Sequence, residues 1–509
     1  MDDRVGTRLR GWDAAAFRTS SNDPSMRSTV IAMGLLDQAP DWQRIRVRFE
    51  RLTRFVPALR MRPIYGLTGL SAPRLAIDPD FDLDVHLRRY RLPEGAGWQD
   101  LLLDARRMSL TDFDLDRPLW EAAVIEGLPG GQAAFLLKLH HAIADGQATV
   151  MIALSLFELG PQGNPDEPPA PEVPAGSDVS IAQITVANAV DMARDAAAQV
   201  TGAIRSGAGL ARIASADPIG AWAQAWRTLG SIGRLTSVAD QPLSPVMCSR
   251  GTTYRFGAFD LPFEDLRAAA KSHGLSVNDA FMAALGAGLD RYHRRHHALV
   301  EQLRVNVPIS LRGDPGDRTG KAANAVSIAR FPFPIAGLTT VERMQAAHDM
   351  VARWRQEPAL RLTDPLAEVS WFVPVPMLAA QARTSDVTAS NVPGPPIPLY
   401  LAGARIVAAY PLVATIGAAL NVTMVTYDGR AFIGVSSDDR AVPDAADLIE
   451  DLRAGFCEIT GSQVGPADPY DARTTKARPT KARPTKARPT KARSPRTGPS
   501  TARSNDTGA

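Results

Sequence analysis

Residues 139–146, Leu-His-His-Ala-Ile-Ala-Asp-Gly, determine the fold that the sequence predicts. The apolar residues 133–139 begin directly after Gln132 and a Gly-Gly pair, which predicts a buried β-strand. Residues 147–158 carry apolar side chains on one side and predict a helix. The sequence therefore predicts a strand, a tight loop with two adjacent histidines, and the start of a helix.

The two histidines are expected on opposite faces, because side chains alternate along a strand. His141 would share the apolar face of Leu139, where a neutral imidazole can be held in a water-poor pocket. His140 would share the other face with Lys138. The competing interpretation, that both are ordinary half-buried histidines, fits the same local pattern.

An acid and a glycine follow the histidines. Asp145 stands just before the predicted helix, where a carboxylate caps the first turn or holds a cation. Gly146 allows the backbone to turn sharply. We expect Asp145 to support the loop through a salt bridge or cap.

Length and composition predict a soluble protein with two globular units. The chain has 509 residues, of which 45% are hydrophobic and 22% charged. Cys248 and Cys457 show neither metal-ligand spacing nor a disulfide framework, so a reducing compartment is expected. The first residues show no positive start followed by an apolar run, and no secretory signal is expected.

Charge is distributed unevenly along the chain. Residues 471–509 contain 11 Lys and Arg against 2 acids, whereas the preceding body contains 46 basic and 52 acidic residues. The tail repeats Thr-Lys-Ala-Arg-Pro over residues 475–489 and has no large apolar side chain there, which predicts disorder. Anionic lipid headgroups, nucleic acid bound without specificity, or no partner at all would each fit such a tail.

Two stretches have competing interpretations. Residues 406–427 are uncharged for long enough to cross a bilayer, but Asp428-Gly429 follows and favours a hairpin of residues 420–427 with 430–436. In residues 78–86 acids alternate with apolar residues, and we predict a strand with the apolar side chains inward. A calcium loop there would need Gly at its sixth place and Glu at its twelfth, where Leu83 and Arg89 stand.

Several motifs together resemble a known family. His-His-x-x-x-Asp-Gly at residues 140–146 resembles the signature of acyl-CoA-dependent acyltransferases, nonribosomal condensation domains and chloramphenicol-acetyltransferase-like folds. Pro118-Leu119-Trp120, some twenty residues earlier, resembles a second motif of the bacterial wax ester synthase/diacylglycerol acyltransferase family. The other matching motifs are Asn278-Asp279, Pro-x-Ser-x-Arg at residues 308–312, and Asn391-Val392-Pro393-Gly394. Ala323-Asn324 departs from the usual Gly-Asn, and the resemblance covers about residues 12–452.

The resemblance implies an α/β fold with two lobes, of the chloramphenicol-acetyltransferase-like acyltransferase type, in which helices flank mixed sheets. The implied division is a first lobe at residues 1–160, a Pro-rich linker at 161–178, a helical crossover at 179–245, a second lobe at 246–462 and the disordered basic tail at 463–509. The histidine would then lie in a channel between the lobes.

The implied reaction transfers an acyl group from acyl-CoA to diacylglycerol, forming triacylglycerol, and to a long-chain alcohol, forming wax ester. We expect His141 to act as general base, with His140 in a supporting role. Asn278 at the helix start is a candidate oxyanion or substrate contact, although Ser276 and Asp279 also read as a simple capping box. No metal or cofactor is expected, and acyl-CoA is a co-substrate.

Two other functions remain open. One is a condensation-like acyltransferase for another alcohol or amine, and the other is an inactive protein of lipid surfaces. A helix with Trp222 and Trp226 fits membrane-surface binding as well as packing between lobes. We expect a cytoplasmic protein that associates peripherally with the inner face of the plasma membrane or with lipid droplets, and no specific nucleic-acid partner.

Overall fold

The computed structural model describes residues 6–67, 71–143, 146–164, 166–173, 176, 179–195, 197, 201, 241–310, 326–355 and 370–470. The strands are β1 (Thr7–Arg8), β2 (Thr29–Leu36), β3 (Met61–Ile64), β4 (Arg74–Ile77), β5 (Leu87–Arg91), β6 (Trp120–Glu126), β7 (Ala133–His140), β8 (Tyr254–Pro262), β9 (Gln302–Ser310), β10 (Val326–Pro334), β11 (Val387–Val392), β12 (Tyr400–Leu401), β13 (Ala404–Val413), β14 (Leu420–Tyr427) and β15 (Arg430–Asp438). The helices are α1 (Gly11–Asn22), α2 (Trp42–Phe55), α3 (Leu83–His86), α4 (Trp98–Leu110), α5 (Gly146–Leu156), α6 (Phe263–Lys271), α7 (Val277–Arg295), α8 (Thr340–Arg355), α9 (Val375–Arg383) and α10 (Ala445–Thr460). Residues 181–195 are also helical.

The described strands form two large mixed sheets and one small sheet. The first large sheet has the order β12-β13-β2-β7-β6-β5, and the second has the order β10-β9-β11-β14-β15-β8. In the first sheet β5 runs parallel to β6, and in the second β11 runs parallel to both of its neighbours. Each sheet has its own hydrophobic core. This architecture confirms the predicted α/β fold with mixed sheets and flanking helices.

A late strand joins the two halves of the chain. β13 pairs with β2 of the first sheet although it lies more than 360 residues further along the chain. It also packs on β15 of the second sheet, where a Cβ on Gly434 would lie 1.7 Å from the carbonyl oxygen of Pro411. Only glycine permits this approach. The described residues up to Tyr470 therefore form one compact unit with two cores.

The predicted hairpin of β14 and β15 is confirmed, so residues 406–427 are not a membrane helix. The strands pair from Leu420 opposite Ser437 to Tyr427 opposite Arg430. The two turn residues, Asp428 and Gly429, have φ values of 43° and 78°, as a type I′ turn requires. Among the described residues, no helix is both long and apolar enough to cross a bilayer.

The strand predicted at residues 78–86 is wrong. The Asp82 side chain accepts a hydrogen bond of 2.9 Å from the N–H of Asp84, and the one-turn helix α3 begins there. The carboxylate of Asp78 accepts in the same way from the N–H of Asp80 at 3.1 Å. Aspartates that bond the neighbouring backbone favour turns over a strand ladder, and Val85 consequently lies exposed.

The Pro-rich connection after α5 lies along α2 where it is described. The guanidinium of Arg44 bonds both carboxylate oxygens of Glu158 at 2.9 and 3.0 Å. Arg48 pairs with Glu167, and Arg51 donates to the carbonyl of Pro168 at 2.6 Å. The exact division into lobes, linker and crossover stays a prediction. Trp222, Trp226, residues 311–325 and residues 471–509 lie outside the described residues. Residues 463–470, which the predicted division places in the disordered tail, are described, and the hydroxyl of Tyr470 donates to the side-chain oxygen of Gln132 at 2.9 Å.

Candidate functional site

The two adjacent histidines stand at the end of the central strand β7. The N–H of His140 donates to the carbonyl of Leu119 on one side at 3.0 Å, and the N–H of His141 donates to the carbonyl of Ser28 on the other at 2.8 Å. A 3-10 turn, residues 141–143, follows directly. Residues beside the two neighbouring strands thus hold the main chain at both histidines, where the chain leaves the sheet.

Alternation along β7 does not assign the two side chains, because both faces of this strand are buried. The turn at residues 141–143 instead determines which of the two side chains is buried. His140 is the last residue of the strand and is buried, whereas His141 begins the turn and is exposed. The predicted sharing of a face between His141 and Leu139 therefore does not apply.

His140 is a neutral, buried imidazole with both nitrogens engaged. Its Nδ1 accepts the N–H of Ala142 at 3.1 Å, so the proton is assigned to Nε2, which donates to the hydroxyl of Ser20 at 2.8 Å. The edges of Phe17 and Phe113 enclose the ring, each with a centroid distance of 5.6 Å. Burial, with smaller contributions from His141 and Lys138, lowers the pKa of His140 to about 3. His140 therefore fixes the turn that carries His141.

His141 combines access with a depressed pKa. Its side chain is exposed, yet enough protein surrounds the ring for burial to lower its pKa from the ordinary value, against a hydrogen bond to its own carbonyl that raises it. The lowered pKa leaves the ring neutral at pH 7, with one unprotonated nitrogen. This is the state that a general base requires.

A buried lysine lies beneath the pair. The Nζ of Lys138 donates to Glu121 and to the carbonyl of Thr111, both at 2.9 Å, and lies 4.0 Å from the ring centre of Phe113. Phe113 in turn contacts the His140 ring. Because Lys138 is fully buried and ion-paired, its role is to support the histidine, and it has no access to a substrate.

The Pro118-Leu119-Trp120 motif holds the strand next to the histidines. Trp120 is fully buried, stacks on Phe49 with ring centroids 5.5 Å apart, and donates its indole N–H to the carbonyl of Leu59 at 2.7 Å. The carbonyl of Leu119 is the acceptor for His140 N–H. The motif is thus structural, and it acts on the site through the main chain.

The other predicted residues lie on elements of the second half. Ser276 and Asp279 form the predicted capping box of α7, and the buried Asp279 carboxylate also lies 3.3 Å from Nδ1 of His348. Asn278 is half-buried, and no hydrogen bond between described residues joins it or Asp279 to His141. Asn278 therefore stays a predicted oxyanion contact.

Asn391 lies in β11 next to its last residue, and Pro393 and Gly394 directly follow the strand. The N–H of Gly394 donates to the hydroxyl of Thr426 at 3.0 Å, and a Cβ there would lie 2.1 Å from the Thr426 carbonyl oxygen. The glycine is needed for this approach, whereas Asn391 is half-buried. Asp145 lies outside the described residues, and Gly146 begins α5.

Sequence reasoning missed Ser20. It lies 120 residues before His140, near the end of α1, and no local pattern links the two. Within the described part of the chain, no group of three His, Cys, Asp or Glu side chains could hold a metal ion. Two surface grooves of about 570 and 490 Å³ lie on α10 with α7 and on α2, and neither is lined by a histidine.

The fold and the paired histidines define an O-acyltransferase of the chloramphenicol-acetyltransferase-like class. The family model of the wax ester synthase/diacylglycerol acyltransferase catalytic domain matches residues 9–281, and that of the C-terminal domain matches residues 322–460. The chain belongs to the wax ester synthase/diacylglycerol acyltransferase family. The catalytic match contains both the His-His motif and Pro118-Leu119-Trp120.

Relatives in mycobacteria extend over most of the chain. A protein of Mycobacterium tuberculosis H37Rv, named as a candidate diacylglycerol O-acyltransferase, is 32% identical over 467 residues, covering 91% of this chain and 94% of the relative. A protein of Mycobacterium bovis with the same kind of name is 30% identical over 427 residues, covering 81% and 82%.

Solved structures show the same fold. The wax ester synthase/diacylglycerol acyltransferase of Marinobacter aquaeolei VT8 matches with a TM-score of 0.60 and 22% identity, over 90% of this chain and 100% of that one. The first condensation domain of the calcium-dependent antibiotic synthetase matches with a TM-score of 0.55 and 15% identity, over 89% and 95%. These matches confirm the two-lobed acyltransferase architecture.

Proposed function

We propose that this protein is an acyl-CoA:diacylglycerol O-acyltransferase that forms triacylglycerol, with His141 as general base. One observation carries the proposal: an exposed imidazole whose pKa is lowered, held by β7 and its neighbours beside a second, buried histidine. The names of the mycobacterial relatives support diacylglycerol as the acceptor.

The reaction needs a base because an alcohol is almost un-ionised at neutral pH. The unprotonated ring nitrogen of His141 takes the hydroxyl proton while the hydroxyl oxygen attacks the thioester carbon. The tetrahedral intermediate then expels the CoA thiolate, the carbon–sulfur bond breaks, and the imidazolium returns the proton to sulfur. An ester and free CoA result, and His141 is neutral again.

Two further features complete the reaction. A donor to the oxyanion stabilises the intermediate by roughly 3–4 kcal/mol, and Asn278 or a main-chain N–H is our candidate. Asp145 supports the loop through a salt bridge or cap. Binding both substrates in line supplies much of the remaining acceleration, and no acyl-enzyme is required.

The test uses radiolabelled palmitoyl-CoA with either diolein or hexadecanol. The wild-type protein should form triacylglycerol from diolein and, as a second product, wax ester from hexadecanol. His141→Ala should lower turnover by about 10² to 10⁴ with unchanged folding, because general-base catalysis contributes that much. His273→Ala, at an exposed histidine of the α6–α7 connection, is the matched control and should keep full activity.

The alternatives predict different results in the same assay. Acylation of soluble amines or alcohols, with no ester from either lipid acceptor, would identify a condensation-like acyltransferase. Esterification that His141→Ala leaves unchanged would exclude His141 as base and revive the inactive lipid-surface protein.

We also propose that the protein works peripherally at the inner face of the plasma membrane or at lipid droplets, where diacylglycerol resides. Exposed Trp12 of α1 and Phe372 and Met377 near the start of α9 support this, since α1 and α9 adjoin. Deleting residues 471–509 tests whether the tail is a lipid tether. Co-sedimentation with vesicles should then fall while activity on dispersed substrate persists.

A further inference from the structure

A row of polar side chains crosses the second sheet from its edge towards its centre. Arg330 on β10 stands opposite Asn306 on β9, and Asn306 stands beside Thr388 on β11. Thr388 is in turn in register with Asn421 on β14. The row therefore spans three strand spacings, roughly 14 Å.

This row lies on the face that points towards the first sheet. The strand neighbours of its members, such as Val305, Val387 and Leu420, belong to the second core on the opposite face. Val425, on the same face of β14 as Asn421, packs against the first core. A row of amides, a hydroxyl and a guanidinium is thus placed between the two sheets, where apolar packing would otherwise be expected.

The inner end of the row is linked by hydrogen bonds to β2, the strand beside the histidine turn. The Asn421 amide donates to the carbonyl of Ala414 at 3.1 Å, and the N–H of Ala414 donates to the carbonyl of Thr29 at 2.9 Å. His141 donates to Ser28, the residue before Thr29, from the other side of β2. Ala414 and His141 are therefore about two strand spacings apart, roughly 10 Å.

The outer end carries uncompensated positive charge. Within the described part of the chain, Nη2 of Arg330 bonds only neutral oxygens, which include the hydroxyls of Thr384 at 2.6 Å and Ser385 at 2.8 Å. Nη1 of Arg304 donates to the carbonyls of Gln241 and Thr384. Among the described residues neither arginine makes an ion pair, although both are half-buried.

The carboxylate of Asp386, which lies near these arginines, bonds main-chain N–H groups and not the guanidinium groups. Asp386 accepts main-chain N–H groups from Leu243, Ser244 and Arg304 at 3.2, 3.2 and 2.7 Å. Burial, and next the charge of Arg304, lowers the pKa of Arg330 to about 10, and the charge of Asp386 opposes this shift. An anion is the missing partner of such a pair, and guanidinium groups match phosphate geometry.

We infer that this face binds the phosphorylated, amide-containing arm of the acyl donor. Arg304 and Arg330 contact phosphate at the outer end, and Asn306 and Thr388 hydrogen-bond the pantetheine amides. The thioester is thereby delivered along the row towards His141. The inference rests on the proposed use of acyl-CoA, and it assigns the donor to the β9–β11 side of the His141 turn.

Kinetics with two donors test this assignment. Octanoyl-CoA and octanoyl-pantetheine carry the same thioester, but octanoyl-pantetheine has no phosphate. Combining Arg304→Gln with Arg330→Gln should raise KM for octanoyl-CoA at least tenfold, change KM for octanoyl-pantetheine less than twofold, and leave KM for diolein unchanged. Thr388→Val should raise KM for both donors. Arg255→Gln, on β8 of the same sheet, is the control and should change neither.

A binding measurement separates this inference from the proposed base. Calorimetric titration of CoA into His141→Ala should show wild-type affinity, and adding the two arginine substitutions should weaken it at least tenfold. If His141→Ala remains active but the arginine variant loses CoA binding, the proposed base is wrong and the donor site stands. If the arginine variant binds CoA normally, the donor site is overturned.

Two further outcomes are decisive. Loss of binding to phosphatidylglycerol vesicles, with KM for octanoyl-CoA unchanged, would assign the arginines to a lipid headgroup and overturn the inference. Because Arg330 also bonds the residues that end α9, thermal unfolding is measured for each variant. If Arg330→Gln does not fold, Arg304→Gln alone must raise KM for octanoyl-CoA at least threefold, and no change would overturn the inference.

Discussion

At the scale of single residues, the site depends on two histidines with opposite surroundings. His140 has both ring nitrogens bonded and is buried, whereas His141 is exposed with one nitrogen available. Strand alternation predicted opposite faces for the two rings, with His141 on the apolar face of Leu139 and His140 beside Lys138. Their separation arises from the turn at residues 141–143, which a pattern of alternating side chains does not contain.

The pH dependence of the reaction tests the state of His141. Because burial lowers the pKa of this base, the neutral form already predominates at pH 6.5. We expect kcat/KM to rise with pH through an inflection below 6.5 and then remain flat to pH 8. Measuring kcat/KM from pH 5 to 8 checks this, and an inflection above pH 6.5 would contradict it.

Ser20 is predicted to support His140. Ser20→Ala removes the acceptor of the Nε2 proton and leaves a buried donor without a partner, which should cost about 1–3 kcal/mol of unfolding free energy. Turnover should fall as well, because His140 fixes the turn. Ser21→Ala is the control, since the one partner of that hydroxyl among the described residues is the carbonyl of Phe17. Equal stability of the two variants in urea unfolding would refute this role.

At the scale of secondary-structure elements, β6 connects the Pro-Leu-Trp motif to the site. Trp120→Ala should destabilise the fold by about 3–5 kcal/mol, because a stacked, fully buried indole is removed. Trp120→Phe keeps an aromatic ring but leaves the carbonyl of Leu59 without its donor, so we expect a smaller loss. Denaturant unfolding measures both, and an equal loss for the two variants would show that the ring retained in Trp120→Phe stabilises nothing, which contradicts the packing argument.

Local sequence signals predicted the elements whose causes are local. The start of α7 follows from the Ser276 capping box, and the turn of the β14–β15 hairpin follows from Asp428-Gly429. The sequence did not predict α3, because alternating aspartates fit a strand pattern while their carboxylates bond the backbone.

Features that depend on distant residues were not predictable in this way. The pairing of β13 with β2 and the hydrogen bond from His140 to Ser20 each join segments far apart in the chain. The polar row across the second sheet exists only through strand register, which no single strand encodes. The motifs therefore identified the histidine turn, whereas the surface that surrounds it required the fold.

At the scale of the whole molecule, the contact between the two sheets depends on one glycine. Gly434→Ala would place a methyl group 1.7 Å from the carbonyl oxygen of Pro411 and force β13 away from β15. We expect a loss of about 1–3 kcal/mol or more, because a packed interior cannot absorb such a clash. Gly97→Ala, where no atom lies within 4 Å of the added carbon, is the control. Similar thermal unfolding of both variants would show that the sheets separate easily.

Lowering the pH from 6.5 to 5 should destabilise the folded protein, although its carboxylates do not yet titrate in this range. His86, His140 and His293 are buried in different parts of the fold, and burial lowers the pKa of each in the folded state. The unfolded chain takes up these protons near pH 6.5 and the folded protein does not, so stability is complete above pH 6.5 and falls as the pH decreases. Each histidine that stays neutral contributes a slope of about 1.4 kcal/mol per pH unit to the free energy of unfolding.

Urea unfolding between pH 7.5 and 5 measures this slope. Replacing His293, which bonds Ser244 at 2.8 Å, with Gln should reduce the slope by the contribution of one histidine. A stability that stays constant from pH 6.5 to 5 would mean that these rings are protonated in the folded protein, and the neutral state assigned to His140 would then be wrong.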